Sequence, residues 1–175
     1  MSIDQLPVWP FRPNWADPLT EGMEYLTSVL SSPAGAEQRR ALRFFPRRDF
    51  EYSIFLARQD RAWAENYLRN TGASKYWMPL WADAVEVPAG SMAGQTVIPV
   101  ENAADREYTV GGTVTLVDTS TCRISDALEV TAIGANSITV ANPSSASFVA
   151  NVFVAPAIKA YLNPTDQNGI QLTRL

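Results

Sequence analysis

The chain contains no histidine. That absence removes the commonest general base and the commonest zinc ligand, and with them any Ser-His-Asp or Cys-His arrangement for nucleophilic catalysis. A single cysteine, Cys122, cannot form an internal disulfide, which fits folding in a reducing cytoplasm. No apolar stretch reaches the roughly 18 residues needed to span a bilayer. The opening MSIDQLPVWPFRPNW lacks the basic start and apolar run of a signal peptide. Basic charge is also scarce, at 14 Lys plus Arg against 18 Asp plus Glu, for a net charge of −4 with acids interleaved through both halves. There is no global electrostatic case for binding a polyanion, and no specific nucleic-acid binding is expected.

Other chemistry is equally thin. The chain has no Walker-type phosphate loop, no GxGxxG between a strand and a helix, and no calcium-loop pattern. Cys122 stands beside Arg123, which could lower a thiol pKa, but without a base the plainer reading is a small residue at a loop or strand end. Asp118, Asp126 and Glu129 could supply the carboxylate pair of a glycosidase. They bracket an expected hairpin connection, where acidic residues are routine solvating groups. No catalytic residue, cofactor or metal site is assigned, and the chain is not read as an enzyme.

What is present divides into two halves. All five tryptophans (Trp9, Trp15, Trp63, Trp77 and Trp81) precede residue 82, and ten of the 14 basic residues precede residue 88. Beyond that the chain turns to Val, Thr, Ser, Ala, Gly and Asn, and Pro and Gly in VEVPAGSMAG mark a boundary. The first half opens with an arm in which Pro7, Pro10, Pro13 and Pro18 alternate with Trp9, Phe11 and Trp15. Proline blocks a regular helix and the rings require burial, so the arm should lie in a groove of its own subunit or of a neighbour. MEYLTSVLSS can be read two ways, since Met23, Leu26 and Leu30 have helical spacing while the Thr, Val and Ser content favours a strand, which is the reading preferred. In DFEYSIFLA, Phe50, Tyr52, Ile54 and Leu56 share one face of a strand. RQDRAWAENYLRNTG reads as a helix with Asp60 as N-cap, a stripe of Trp63, Tyr67 and Leu68, and Gly72 as stop. KYWMPLWADAVEV returns as a strand whose Pro79 places it at an edge or a bulge.

The second half reads as all-β. TVIPV, GTVTLVD, ALEVTAI, SITVA and NVFVA are short, β-branched and separated by turn material, as in a small barrel or sandwich. The expected fold class is therefore mainly β with one short flanking helix, a β-rich α+β chain. Its segments are residues 1–87 with the Trp/Pro arm, an all-β module over 88–155, and a C-terminal strand or linker over 156–175 leading towards a missing portion.

The densest chemical feature is EQRRALRFFPRRDFEYSIFL, with five arginines in ten positions. On one continuous strand Arg39, Ala41, Arg43 and Phe45 would share one side, and Gln38, Arg40, Leu42 and Phe44 the other. The guanidiniums then split between faces, which is awkward for tracking phosphates. Acidic partners are at hand in Glu37, Asp49 and Glu51, and arginine forks suit carboxylates and aromatic faces. Arg, Trp and Tyr together fit a protein interface, with intramolecular ion pairing as the main competing reading and nucleic acid or another ligand as the remaining one.

The succession WPFRPNW, LTEGMEYLTSVLSS, GAEQRRALRFFPRRDFEYSIFL, a helix and GASKYWMPLWADAVEV resembles N-terminal regions of tail proteins from long-tailed, siphovirus-like bacteriophages. These are the distal-tail or tail-tip adaptors that form a ring at the end of the tail tube. The match covers residues 7 to 87; the β segment after it is similar to small modules appended to such proteins. The resemblance implies a tail-tube-like β domain, homo-oligomeric ring packing, and partners among tail-tube and tail-hub or baseplate proteins. It implies a place in the virion tail after assembly in the host cytoplasm, without membrane insertion. Interface residues carried over are Arg39, Arg40, Arg43, Arg47, Arg48, Trp77 and Trp81, joined by Trp9 and Trp15 of the arm. Two other readings stand beside it. One is a carbohydrate- or receptor-binding module using Tyr76, Trp77 and Trp81 as a stacking platform. The other is a different virion position, such as a tail terminator or head–tail connector.

Overall fold

The structure, a computed structural model, describes residues 5–33, 35–72, 74–88 and 94–162. It is mainly β, with one short α-helix and a large antiparallel sheet. Contacts divide the chain into two compact units, Met1–Arg12 with Leu56–Leu175, and Pro13–Phe55.

The larger unit is organised by a seven-stranded sheet. Its strands are β5 (Tyr76–Pro79), β6 (Val85–Val87), β7 (Val97–Pro99), β8 (Thr113–Asp118), β9 (Ser125–Ile133), β10 (Ser137–Val140) and β11 (Val152–Ala160). The order is β5–β11–β8–β9–β10–β7, and β6 lies on the same side of β11 as β5, further along it. One sheet thus draws on residues from both sides of residue 88. The five strands expected after that point all form. Their alternation sets the faces: Val114 and Leu116 of β8, Leu128 and Val130 of β9, Ile138 and Val140 of β10, and Val152 and Val154 of β11 point into one core. Val87 of β6 and Ile98 of β7, from opposite ends of the strand order, join the same cluster. The sheet therefore curls around its own interior. Each fully buried Val, Leu or Ile contributes about 1.5–3 kcal/mol relative to exposure.

The strand at the centre, β8, is buried along its whole length, so its outer face is covered too. Thr115 satisfies its hydroxyl there by donating to Ala155 O at 3.2 Å. Tyr108 inserts its ring into the core and donates to Val154 O at 3.2 Å. Pro79 sits where sequence chemistry places it, at the end of an outermost strand, opposite Ala157. The expected single strand KYWMPLWADAVEV is instead two strands separated by a 3-10 turn, Trp81–Asp83. Residues 163–175, including the strand-like GIQLTRL, lie outside the described residues.

The helix α1 (Arg58–Thr71) forms where expected. Its N-cap is Ala57, which offers no side-chain cap, and not Asp60. Asp60 lies in the first turn, where its carboxylate favours the positive end of the helix dipole and accepts from Arg123 at 2.6 Å. Gly72 closes the helix, its N–H donating to Leu68 O at 2.7 Å.

The smaller unit is a nested pair of two-stranded ribbons. β1 (Thr20–Glu24) pairs with β4 (Arg47–Glu51), and β2 (Thr27–Ser31) with β3 (Glu37–Ala41), both antiparallel. β2 lies within the segment read as strand, MEYLTSVLSS, whereas β1 overlaps it only at Met23 and Glu24, and the chain breaks between the two at Tyr25–Leu26. The ladder on β4 stops at Glu51, short of the strand expected through Leu56, because the facing chain turns away at Asn14 to Asp17. The alternation nevertheless persists in burial: Phe50, Tyr52, Ile54 and Leu56 are half-buried, while Glu51, Ser53 and Phe55 are exposed.

Candidate functional site

The arginine cluster lies on the ribbon, but not on one continuous strand. Arg39 and Arg40 belong to β3, Arg47 and Arg48 to β4, and Arg43 to the break between them. Pro46 in that break has no N–H to give a ladder. The faces expected from a single strand over residues 38–45 therefore do not form as one set. Four of the five guanidiniums have acidic neighbours. Arg48 binds Glu21 across the ribbon and stands 5.4 Å from the Phe50 ring centroid. Arg43 reaches Glu24 at 3.7 Å, Arg39 reaches Glu37 at 3.3 Å and Arg47 reaches Asp49 at 3.3 Å. Apart from the half-buried Arg48–Glu21 pair these are surface pairs, each worth about 0–1 kcal/mol. Arg40, opposite Ser28, has no ion-pair partner among the described residues.

The apolar surface around these arginines was not picked out from the sequence. Ten of the fourteen large apolar side chains left exposed among the described residues belong to residues 13–55. Tyr25, Leu26, Leu42, Phe44 and Phe45 gather at the junction of the two ribbons, with Phe44 94% and Phe45 82% exposed. The signal was legible as FFP inside the basic run: two adjacent phenylalanines before a proline cannot both face one side of a strand. A two-stranded ribbon is marginal in water by itself, and an exposed apolar patch of this kind is a candidate interaction surface.

The tryptophans separate into two groups. Trp15 is 62% exposed, on the smaller unit. Trp9, Trp77 and Trp81 are buried inside the larger unit, which leaves them little area to offer a partner subunit. Residues 7–11 of the arm dock on their own chain. Val8 forms a parallel bridge to Trp77, Trp9 N donates to Trp77 O at 2.9 Å, and Trp77 N donates to Pro7 O at 2.9 Å. Tyr67 of α1 donates its hydroxyl to Val8 O at 2.6 Å. Trp9, Phe11, Trp63, Tyr67 and Tyr76 then form a chain of edge-on and tilted ring contacts. Tyr76, Trp77 and Trp81 are all buried, so the stacking platform that a sugar would need is not open.

The remaining candidate groups are tied into local structure, with Asp118 Oδ2 buried and without a hydrogen-bond partner among the described residues. Asp118 Oδ1 accepts from the N–H and hydroxyl of both Ser120 and Thr121, at 2.6 to 3.2 Å. Burial opposes its ionisation, but these hydrogen bonds outweigh burial and hold the carboxyl below its ordinary range. Asp126 accepts from Ser144 and Ser145 and anchors a separate loop. Cys122 adopts a left-handed φ of 56° at the loop between β8 and β9. Burial pushes its thiol pKa up, against the lowering influence of Arg12, so Arg123 does not make it an activated thiolate. Arg123 pairs with Asp60 and lies 5.6 Å from the Trp63 ring centroid.

Among the described residues no cluster of three or more acidic, histidine or cysteine side chains could hold a metal ion, and no helix is long and apolar enough to cross a membrane. No protein-family signature and no curated protein matches the chain.

Proposed function

We propose that this chain is a structural component of a bacteriophage tail. In this reading it packs as a closed homo-oligomeric ring at the distal end of the tail tube and joins the tube to tail-tip or baseplate proteins. The observation that carries the reading is the ribbon of residues 13–55, which exposes arginines and large apolar side chains together. An element of that composition gains from a protein partner, and arginine with aromatic residues is the composition enriched where proteins meet.

A ring subunit has to offer two complementary surfaces, and head-to-tail contacts that close make a ring. The ribbon has two long edges to offer. The interface role is placed on Arg39, Arg40, Arg43, Arg47 and Arg48 with Trp15, and on the exposed apolar residues beside them. Trp9, Trp77 and Trp81 support the fold that carries the ribbon. The role asks for no catalytic residue and no cofactor. Its sites of action are the host cytoplasm during assembly and the virion tail afterwards.

Light scattering on the purified chain, followed by negative-stain microscopy of the resulting peak, tests the reading. A closed ring with a central hole is the expected result. A monodisperse monomer over a wide concentration series would overturn the ring.

A further inference from the structure

Among the described residues the curled sheet does not close. β6 and β7 each send a residue into the shared core, Val87 and Ile98, yet no ladder joins the two strands. A cleft of about 510 Å³ lies between them. Val85, Val87, Pro88, Pro99 and Val100 give it an apolar lining, and its charged residues are Glu86 and Glu101. Neither acid has an ion-pair partner among the described residues; Glu86 accepts from the Asn151 amide at 2.7 Å.

The walls of the cleft resist an added strand. Val100 N donates to Asn136 O at 3.1 Å and Val140 N to Thr96 O at 2.8 Å, so alternation along the β7–β10 ladder turns Pro99 to the open edge. Proline has no N–H to offer a further strand, and Pro88 on the facing wall lacks one as well. The cleft is therefore suited to side chains. Its volume falls within the range of about 300–1,000 Å³ that holds small ligands, which is room for a pair of phenyl rings.

The same chain carries such a pair. Phe44 and Phe45 stand almost fully exposed at the ribbon junction, and Arg40, without an ion-pair partner among the described residues, lies on the strand that leads to them. We infer that the occupant of the cleft is the Phe44–Phe45 knob of a second copy, with Arg40 set against Glu86 and Glu101. Aromatic anchors seated in pockets concentrate binding energy where proteins meet, and unlike charges around them orient the contact. Knob and cleft belong to different units of the chain. The contact is therefore head-to-tail, and the end copies keep one free knob and one free cleft until the series closes. The inference deepens the ring reading and rests on it.

The test is light scattering over a concentration series on wild type, Phe44→Ser with Phe45→Ser, Arg40→Glu, Glu101→Arg, and Arg40→Glu combined with Glu101→Arg in one chain. All four positions are exposed, so these substitutions leave folding intact. The double serine variant is expected to be monomeric. Each charge reversal alone is expected to raise the concentration of half-assembly several-fold. The two reversals together are expected to return it towards the wild-type value, because the pairing is restored with its signs exchanged, which mere structural damage would not do. A double serine variant that assembles like wild type would overturn the inference and leave the ring reading standing on another surface. Reversals that fail to compensate would overturn the cleft as the seat of the knob, and a monomeric wild type would end both readings.

Discussion

Replacing Phe11 with Ala should unfold the arm from the larger unit and cost that unit a large share of its stability. Phe11 is 3% exposed, with ring centroids 4.9 Å from Trp9, 5.5 Å from Trp63 and 5.7 Å from Tyr67. Truncating a buried phenylalanine to alanine costs about 3–5 kcal/mol. Edge-on aromatic contacts account for about 0.5–1.5 kcal/mol of such a loss per pair. Against a typical total of about 5–15 kcal/mol this is severe. For a chain of this size it corresponds to a fall in Tm of roughly 6–20 °C. Urea titration followed by tryptophan fluorescence reads it directly, because Trp9 and Trp63 lie in the same cluster. Phe11→Leu, which keeps an apolar side chain in the site, should lose about 1.5 kcal/mol or less. An alanine variant within about 0.5 kcal/mol of wild type would refute the docking of the arm on its own helix, because that is the size expected of a surface change.

Alkaline pH should destabilise the larger unit. Burial raises the Tyr67 and Tyr108 phenols above their ordinary value, with Tyr76 adding to the rise at Tyr67 and Asp83 adding at Tyr108 against Arg106. The unfolded chain releases these protons from about pH 10 while the folded chain keeps them. Stability is then full below that pH and falls as pH rises towards the folded values, by about 1.4 kcal/mol per pH unit for each tyrosine. Urea midpoints across that range check it, and Tyr108→Phe should reduce the slope. Asp118→Ala should cost about 2–3 kcal/mol, since a buried charged acceptor for four donors is lost. Asp118 itself, held below its ordinary range, contributes stability that is present above the unfolded pKa of about 3.9 and lost as pH falls through the folded one. The acid limb of a stability–pH curve should accordingly be shallower in the variant.

Strand content was legible wherever alternation was strong and β-branched. All five strands after residue 94 follow from their Val, Ile and Thr patterns, because each packs one face on a shared core. Pro79 and Gly72 marked their positions through backbone chemistry alone. The misreadings arose where partners decide. Asp60 looks like a cap by type, yet its carboxylate is taken by Arg123, 63 positions away. The arginine run looks like one strand until Pro46 and the break at Leu42–Phe45 interrupt it. Burial of Tyr76, Trp77 and Trp81 depends on the arm and on β11, which periodicity within KYWMPLW does not encode. The exposure of Phe44 and Phe45 was hidden for the opposite reason, since apolar residues are expected inside.

The ribbon leaves the larger unit after Arg12 and returns at Leu56, and its own ends are tied to each other where Asn14 N donates to Ser53 O at 2.9 Å. An excursion clasped at its neck is an insertion, and insertions tolerate replacement far better than segments woven through a sheet, since closure entropy rises by only about 0.6 kcal/mol for each doubling of loop length. Mutation can therefore lengthen, shorten or recharge the ribbon while the curled sheet stays as it is. The surface proposed to meet partners is free to diverge quickly, and the curled sheet of the larger unit is held to its sequence pattern by packing.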